Sequence, residues 1–349
     1  MKINIFQWRY SPLLILLPLL LPTGNAQAEL SVTCEAGMNT APGGTGIVNF
    51  GTITGTNANN ANTTGTLSYS CTNTGDTAGY VSVCLAADGG QYDNNAVNGR
   101  YMQRPGSGRN NQRRLNFTMK LPGGQLWSTR GKTGSEFNSG LLSIAANSTV
   151  TGSEVISFSM NGGNTRATQG VYTNNFGNGN HTALTFRANE NSSGLNCATG
   201  DQGLDRFPFT VQAAIEPSCT ITATSDVNLG PRSASETNIT GSNSSAITVN
   251  CTTGGSYYIG LKPFNNSTTG AGVMSGTGGN LDKVPYQLRS TAGINGTIWG
   301  NTATSTTVGN GVADFGTGSN KSHTVFVTVP SVDVRPDNYS DTVTINVNY

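Results

Sequence analysis

Two stretches of this chain, one beginning near residue 29 and the other near residue 214, carry the same succession of short motifs. Each copy reaches a cysteine early in a strand, "LSVTC" ending at Cys34 and "EPSC" ending at Cys219. A Phe50-Gly51 pair in the first copy answers Leu229-Gly230 in the second. The strand "TLSYSC", ending at Cys71, answers "AITVNC", ending at Cys251. "TNTGDTAGYVSV" then answers "TTGGSYYIGL". "LNFTMKLPGGQLW", ending at Trp127, answers "VPYQLRSTAGINGTIW", ending at Trp299, each an alternating strand, a glycine-containing turn and a tryptophan. Tyr172 answers Tyr339. Self-similarity on this scale means two copies of one folding unit, each with its own core.

The unit is built of strands. Apolar residues come in short runs of period two, no stretch holds a period of 3.6 for long, and Gly, Asn, Thr and Ser fill the intervals. The expectation is an all-β chain of two immunoglobulin-like sandwiches, each of seven or eight strands. All six cysteines lie beyond residue 28. An even number in an oxidising compartment favours disulfides, and the repeat pairs Cys34 with Cys71 and Cys219 with Cys251. Cys84 and Cys197, which the second copy lacks, are left to each other. Each bridge is worth roughly 3 to 4 kcal/mol on the chain-entropy account.

The first 28 residues read as an export signal. Lys2 and Arg9 precede the apolar run "PLLILLPLLLP", and "AQA" ending at Ala28 supplies the small residues of a cleavage site. The apolar run is too short to span a bilayer core of about 30 Å, and Pro18 and Pro22 interrupt it. No other stretch resembles an integral membrane segment. The expected division is therefore a signal peptide over 1–28, a first domain over 29–213 and a second over 214–349. A formal net charge of +1 with 11% charged residues argues against a dedicated nucleic-acid binder. No cysteines form a CxxC pair, and His181 and His323 are the only histidines, so a zinc site lacks ligands and no cofactor is expected.

The two copies diverge at their ends. After Tyr172 the first offers the strand "TALTFRA", a loop carrying Cys197, and the further strand "RFPFTVQAAI". After Tyr339 the second offers only "DTVTINVNY", in which Val343, Ile345, Val347 and Tyr349 share one face. The second sandwich is expected to lack its last strand, leaving an open cleft that a strand from another chain would fill. Val343, Ile345, Val347 and Tyr349 are its candidate contacts. With only "ELSVT" ahead of Cys34, the chain is expected to accept a strand and to have almost none to give, which suits the end of a polymer.

"PSCTITATSDVNLG", "ITVNCTTGGSYYIGL", "YQL", "IWGN" and "YSDTVTINVNY" together resemble the spore coat U (SCPU) domain of subunits of archaic, Csu-type chaperone-usher pili. The resemblance is good over 214–349 and weaker over 29–213. It implies a two-domain tip adhesin whose C-terminal domain is an incomplete pilin fold. It also implies a periplasmic chaperone, an outer-membrane usher, an adjacent pilin subunit that donates a strand, and export through the periplasm to the pilus tip. Attachment to a surface or receptor of unknown identity, in biofilm formation, would then fall to the loops of the first domain.

Candidate contacts in those loops are Tyr92, Tyr101 and Met102, in an arginine-rich insert that the second copy lacks, and Leu126, Trp127, Phe137 and Phe176, beside glycine turns. Exposed apolar side chains would bring about 25 cal/mol per Å² to a surface, and the arginines would attract anionic material. For Trp127 the matching Trp299 favours a core position instead. Enzymatic readings lack their parts: "RGKTG" has Leu126 where a phosphate loop needs its first glycine, and neither GxSxG nor HExxH occurs. A structural shaft or coat subunit of the same family, or a secreted carbohydrate-binding module stacking sugars on Trp127 and the tyrosines, are the alternatives.

Overall fold

A computed structural model describes residues 29–92, 99–129, 134–177, 179–199 and 203–349. The expected signal peptide over 1–28, and parts of the arginine-rich insert and of the "RGKTG" stretch, lie outside the described residues.

The first copy contributes thirteen strands: β1 (Val32–Met38), β2 (Gly46–Thr54), β3 (Asn62–Asn73), β4 (Gly79–Ala87), β5 (Arg100–Gln103), β6 (Arg114–Lys120), β7 (Phe137–Asn138), β8 (Leu142–Ile144), β9 (Ser148–Met160), β10 (Gly170–Asn175), β11 (Thr182–Asn189), β12 (Gly203–Asp205) and β13 (Phe209–Glu216). The second contributes β14 (Cys219–Thr224), β15 (Thr237–Cys251), β16 (Ser256–Pro263), β17 (Ala271–Ser275), β18 (Lys283–Arg289), β19 (Val312–Phe315), β20 (Asn320–Ser331) and β21 (Val343–Asn348). Among the described residues the one α-helix is the single turn Asn110–Arg113.

Each copy packs one larger sheet against a smaller one. In the first, the large sheet runs β1-β3-β9-β6-β5-β10-β13-β2 and the small one β12-β11-β4-β7, with β8 also on β4. In the second, the large sheet runs β14-β15-β20-β18-β17 and the small one β19-β16-β21. Alternation explains the burial. Along β3, Leu67, Tyr69 and Cys71 face inward while Thr66 faces solvent, and along β15 Ile247, Val249 and Cys251 do the same. Two separate apolar cores result, one ending with Ile215 and the other beginning with Ile239.

The structure contains the bridges Cys34–Cys71, Cys84–Cys197 and Cys219–Cys251. The first and third join directly opposed residues of neighbouring antiparallel strands. Cys84–Cys197 ties β4 to the loop after β11.

β13 is antiparallel to β10 on one side and parallel to β2 on the other. It runs on to Glu216, so the expected division at 213/214 falls inside a strand of the first domain. Only Pro217 and Ser218 separate it from β14. The junction is pinned: Thr252 Oγ1 accepts from the Ser218 amide at 3.0 Å, and Thr168 and Thr253 form a parallel bridge across it.

Candidate functional site

The two copies share a strand order over most of their larger sheets, and their matched side chains do the same work. Trp127 Nε1 donates to the carbonyl of Leu85 in β4 at 3.0 Å, and Trp299 Nε1 donates to the carbonyl of Ile259 in β16 at 2.8 Å. Both indoles are buried. Tyr172 donates its hydroxyl to the carbonyl of Thr168 at 2.6 Å, and Tyr339 donates to Arg335 at 2.8 Å, each four residues upstream. Such a back-bond fixes the corner at which the chain enters a strand. One residue later the agreement persists, since Thr173 pairs with Gln103 of β5 and Ser340 pairs with Ser275 of β17. The order β1-β3-β9-β6-β5-β10 thus has a complete counterpart in β14-β15-β20-β18-β17 and Ser340.

Beyond that point the counterpart is missing among the described residues. In the first domain β12 extends along Leu184, Thr185 and Phe186 of β11, and β13 then lies between β10 and β2. Leu184 is opposite Leu85, and Val347 is opposite Ile259. With the two tryptophan acceptors as anchors, Val347 to Tyr349 occupies the positions of Leu184 to Phe186. β21 hydrogen-bonds to β16 along one edge, and no described strand pairs with its other edge. The segment answering β2, around Val227 and Leu229, forms no strand.

The consequence for packing is visible on the facing strand. Two residues past the first cysteine of each copy, Ala36 is 1% exposed and Ile221 is 44% exposed. β11 and β12 lie against β1 in the first domain. In the second, Ile221 is left as an exposed apolar side chain. Leu229, Val227, Val343, Ile345 and Val347 are only partly buried against their core. Tyr349 is half exposed. Sequence reading named the β21 residues and missed Ile221, Val227 and Leu229. The signal for them was available in the repeat, since Ile221 stands where Ala36 stands, two residues after its cysteine.

The expected contact loops of the first domain are placed differently from the expectation. Met102, Phe137 and Phe176 are buried, which corrects their reading as exposed contacts, and Trp127 is buried, the core position that its match to Trp299 favoured. Phe176 stacks on Phe209 with ring centroids 4.4 Å apart, and Trp127 stacks on Phe207 and Phe209 at 6.1 and 6.2 Å. Phe137 leans on Tyr69 at 5.7 Å. For Phe176 and Trp127 the physical reason is the chain at the start of β13, which brings Phe207 and Phe209 under loops that in sequence have only Gly and Asn nearby. Leu126 is half-buried. Tyr92 and Tyr101 are half-buried and stack on each other at 5.4 Å.

The arginines divide as well. Arg100 is fully buried; its Nε donates to the Asp88 carbonyl, and its Nη2 donates to the carbonyls of Ala87 and Trp127 at 2.9 and 2.6 Å. Burial lowers its pKa to about 10, opposed by the charge of Asp88. Asp88 accepts from the Gly90 amide at 2.6 Å, and His181 Nδ1 lies 3.1 Å from both its carboxylate oxygens. Burial raises the Asp88 pKa against the lowering effect of those contacts. This cluster anchors the base of the insert and does not face solvent. Among the described residues no group of three or more His, Cys, Asp or Glu could hold a metal ion, and no helix is long and apolar enough to cross a membrane.

No curated protein matches the chain. Among solved structures, the chain is similar to the CsuC-CsuE chaperone-tip adhesion subunit pre-assembly complex from archaic chaperone-usher Csu pili of Acinetobacter baumannii, at 13% identity and a TM-score of 0.48, covering 91% of this chain and 100% of that one. It is also similar to CfaE, the adhesive subunit of CFA/I fimbria of enterotoxigenic Escherichia coli, at 10% identity and a TM-score of 0.31, covering 76% and 81%. The Spore Coat Protein U domain family matches residues 205–346, a span that runs from the end of β12 through β13 and β14 to β20 and into β21. Residues 205–346 of the chain are therefore its Spore Coat Protein U domain.

Proposed function

We propose that this protein is a pilus subunit of the adhesin type: the second domain accepts a β-strand from an adjacent subunit, and the first domain meets the target. The observation that carries the reading is internal to the chain. One sandwich carries β12 and β13, and among the described residues its twin has no strand at the matching place, with Ile221 exposed where Ala36 is buried. An open edge flanked by apolar side chains is the arrangement that β-strand addition uses, main-chain bonds giving affinity and alternate side chains giving register. A periplasmic chaperone would cover that edge during export and an outer-membrane usher would exchange it for the neighbour's strand, with the finished subunit at the cell surface, at the pilus tip, in attachment and biofilm formation. Residues 29–216 then form the target-binding unit and 219–349 the pilin unit.

The test is a synthetic donor peptide added to the purified chain, with its melting temperature as readout. A ligand that binds only the folded acceptor raises stability by about 2.7 kcal/mol at a hundred-fold excess over Kd. The expected shift is upward in the chain itself and absent in Ile345→Asp. No shift at saturating concentrations of strands from every co-transcribed subunit would refute the reading.

A further inference from the structure

The outward face of the β5–β6 hairpin carries a concentration of cations that the rest of the molecule does not. Between residues 99 and 129 stand Arg100, Arg104, Arg109, Arg113, Arg114 and Lys120, with no Asp or Glu, in a chain whose formal net charge is +1. Arg100 is turned inward. The others are half or fully exposed.

Two of these guanidinium groups are held in place without being neutralised. The Arg114 guanidinium lies over the Tyr101 ring, 4.0 Å from its centroid, and Tyr92 stacks at 5.4 Å on Tyr101, making a three-layer ladder. Tyr101 is tied down further by donating to the Tyr92 carbonyl at 3.3 Å. Arg104 lies along Gly170 of β10. The Nε atoms of both Arg104 and Arg114 are buried and donate no hydrogen bond, and neither guanidinium pairs with a carboxylate among the described residues. A donor left unpaired is unfavourable, and an acceptor bound at these guanidinium groups would relieve it. Arg113 is spent differently, donating to the Arg104 carbonyl at 3.2 Å. Around the ladder the half-buried neighbours are amides and a hydroxyl: Gln103 is opposite Arg114, Asn116 is opposite Tyr101, and Thr173 is opposite Gln103.

We infer that this face is a binding site for an acidic polysaccharide, with the forks of Arg104 and Arg114 taking carboxylate or sulfate groups and the surrounding amides taking hydroxyls. Guanidinium forks match such anions in a bidentate way. A sugar chain fits better than nucleic acid because Tyr101 is covered on both faces, which removes the stacking platform that single strands need. The small net charge gives duplex DNA little field to follow. The site lies wholly in the first domain and does not depend on strand acceptance by the second.

The experiment measures binding of the purified chain to polygalacturonate, dextran sulfate and neutral dextran by biolayer interferometry at two salt concentrations. The acidic polymers are expected to bind at least about ten-fold more tightly than dextran. The Arg104→Gln/Arg114→Gln variant should lose about ten-fold or more. Arg109→Gln, a change at an exposed side chain that leaves folding untouched, should weaken binding measurably, and Lys262→Gln in the second domain should not. Equal affinity for dextran, unchanged binding in the double variant with an unchanged melting temperature, or tighter binding to DNA or anionic vesicles would each overturn the inference.

Discussion

The indole nitrogen of Trp299 donates to the carbonyl oxygen of Ile259 at 2.8 Å from a buried position, and Trp127 repeats the bond on Leu85. These tryptophans are struts between a loop and the central strand of the smaller sheet. Trp127→Ala should cost about 3 to 5 kcal/mol by opening a cavity. Trp127→Phe should cost less, about 1 to 3 kcal/mol, from the stranded Leu85 carbonyl. Urea unfolding monitored by circular dichroism gives both values. Loss of attachment in Trp127→Ala without loss of stability would show that the ring is a contact after all.

Under the proposed strand acceptance, Ile221 separates packing within one chain from packing against an incoming strand. Its side chain is 44% exposed, so Ile221→Ser should change the isolated chain's stability by about 0.5 kcal/mol or less. The same change should weaken donor-peptide binding by about ten-fold, because that side chain is fully desolvated only in the complex. Titration of the peptide by fluorescence anisotropy reads the second effect, and a denaturant curve reads the first.

Asp337 makes part of the second domain acid-sensitive. Its carboxylate accepts from the Thr277 hydroxyl and amide and from Asn280 Nδ2, and these bonds, the Thr277 side chain first, lower its pKa from 3.8 to about 2. A depressed carboxylate pKa stabilises the fold above the unfolded value and ceases to do so as pH falls through the folded one. The loop from Thr277 to Asn280 should therefore loosen between pH 3.8 and about 2. Melting temperature against pH should fall less steeply in that window for Asp337→Asn than for the parent chain.

Cys84–Cys197 closes a loop of 113 residues, against 37 for Cys34–Cys71 and 32 for Cys219–Cys251. By loop-closure entropy its removal should cost about 5 kcal/mol, and removal of either shorter bridge about 4. Comparing the three Cys→Ser pairs by urea unfolding tests that order. An equal loss in all three would show that the unfolded chain is not where the bridges act.

Much of this architecture was legible in the repeat. The cysteine partners, the pairing of Trp127 with Trp299 and of Tyr172 with Tyr339, and the edge position of Val343 to Val347 follow from motif order and period two, which are local properties. The burial of Phe176 and Phe137 was not legible, because it depends on Phe209 and Tyr69, which are distant in sequence and arrive only when β13 and β3 are in place. Arg100 was hidden for a related reason. A guanidinium surrounded by carbonyls of Ala87, Asp88 and Trp127 looks, in sequence, like one more member of an arginine-rich surface loop.

β13 is held by neighbours along both flanks over most of its length and passes through Pro217 and Ser218 directly into β14. Tension transmitted from the second domain would enter the first along the axis of that strand. Its lateral bonds would then be sheared together, and could not be unzipped singly from an end. A joint of this kind fails at high force, which would suit the adhesin role proposed above.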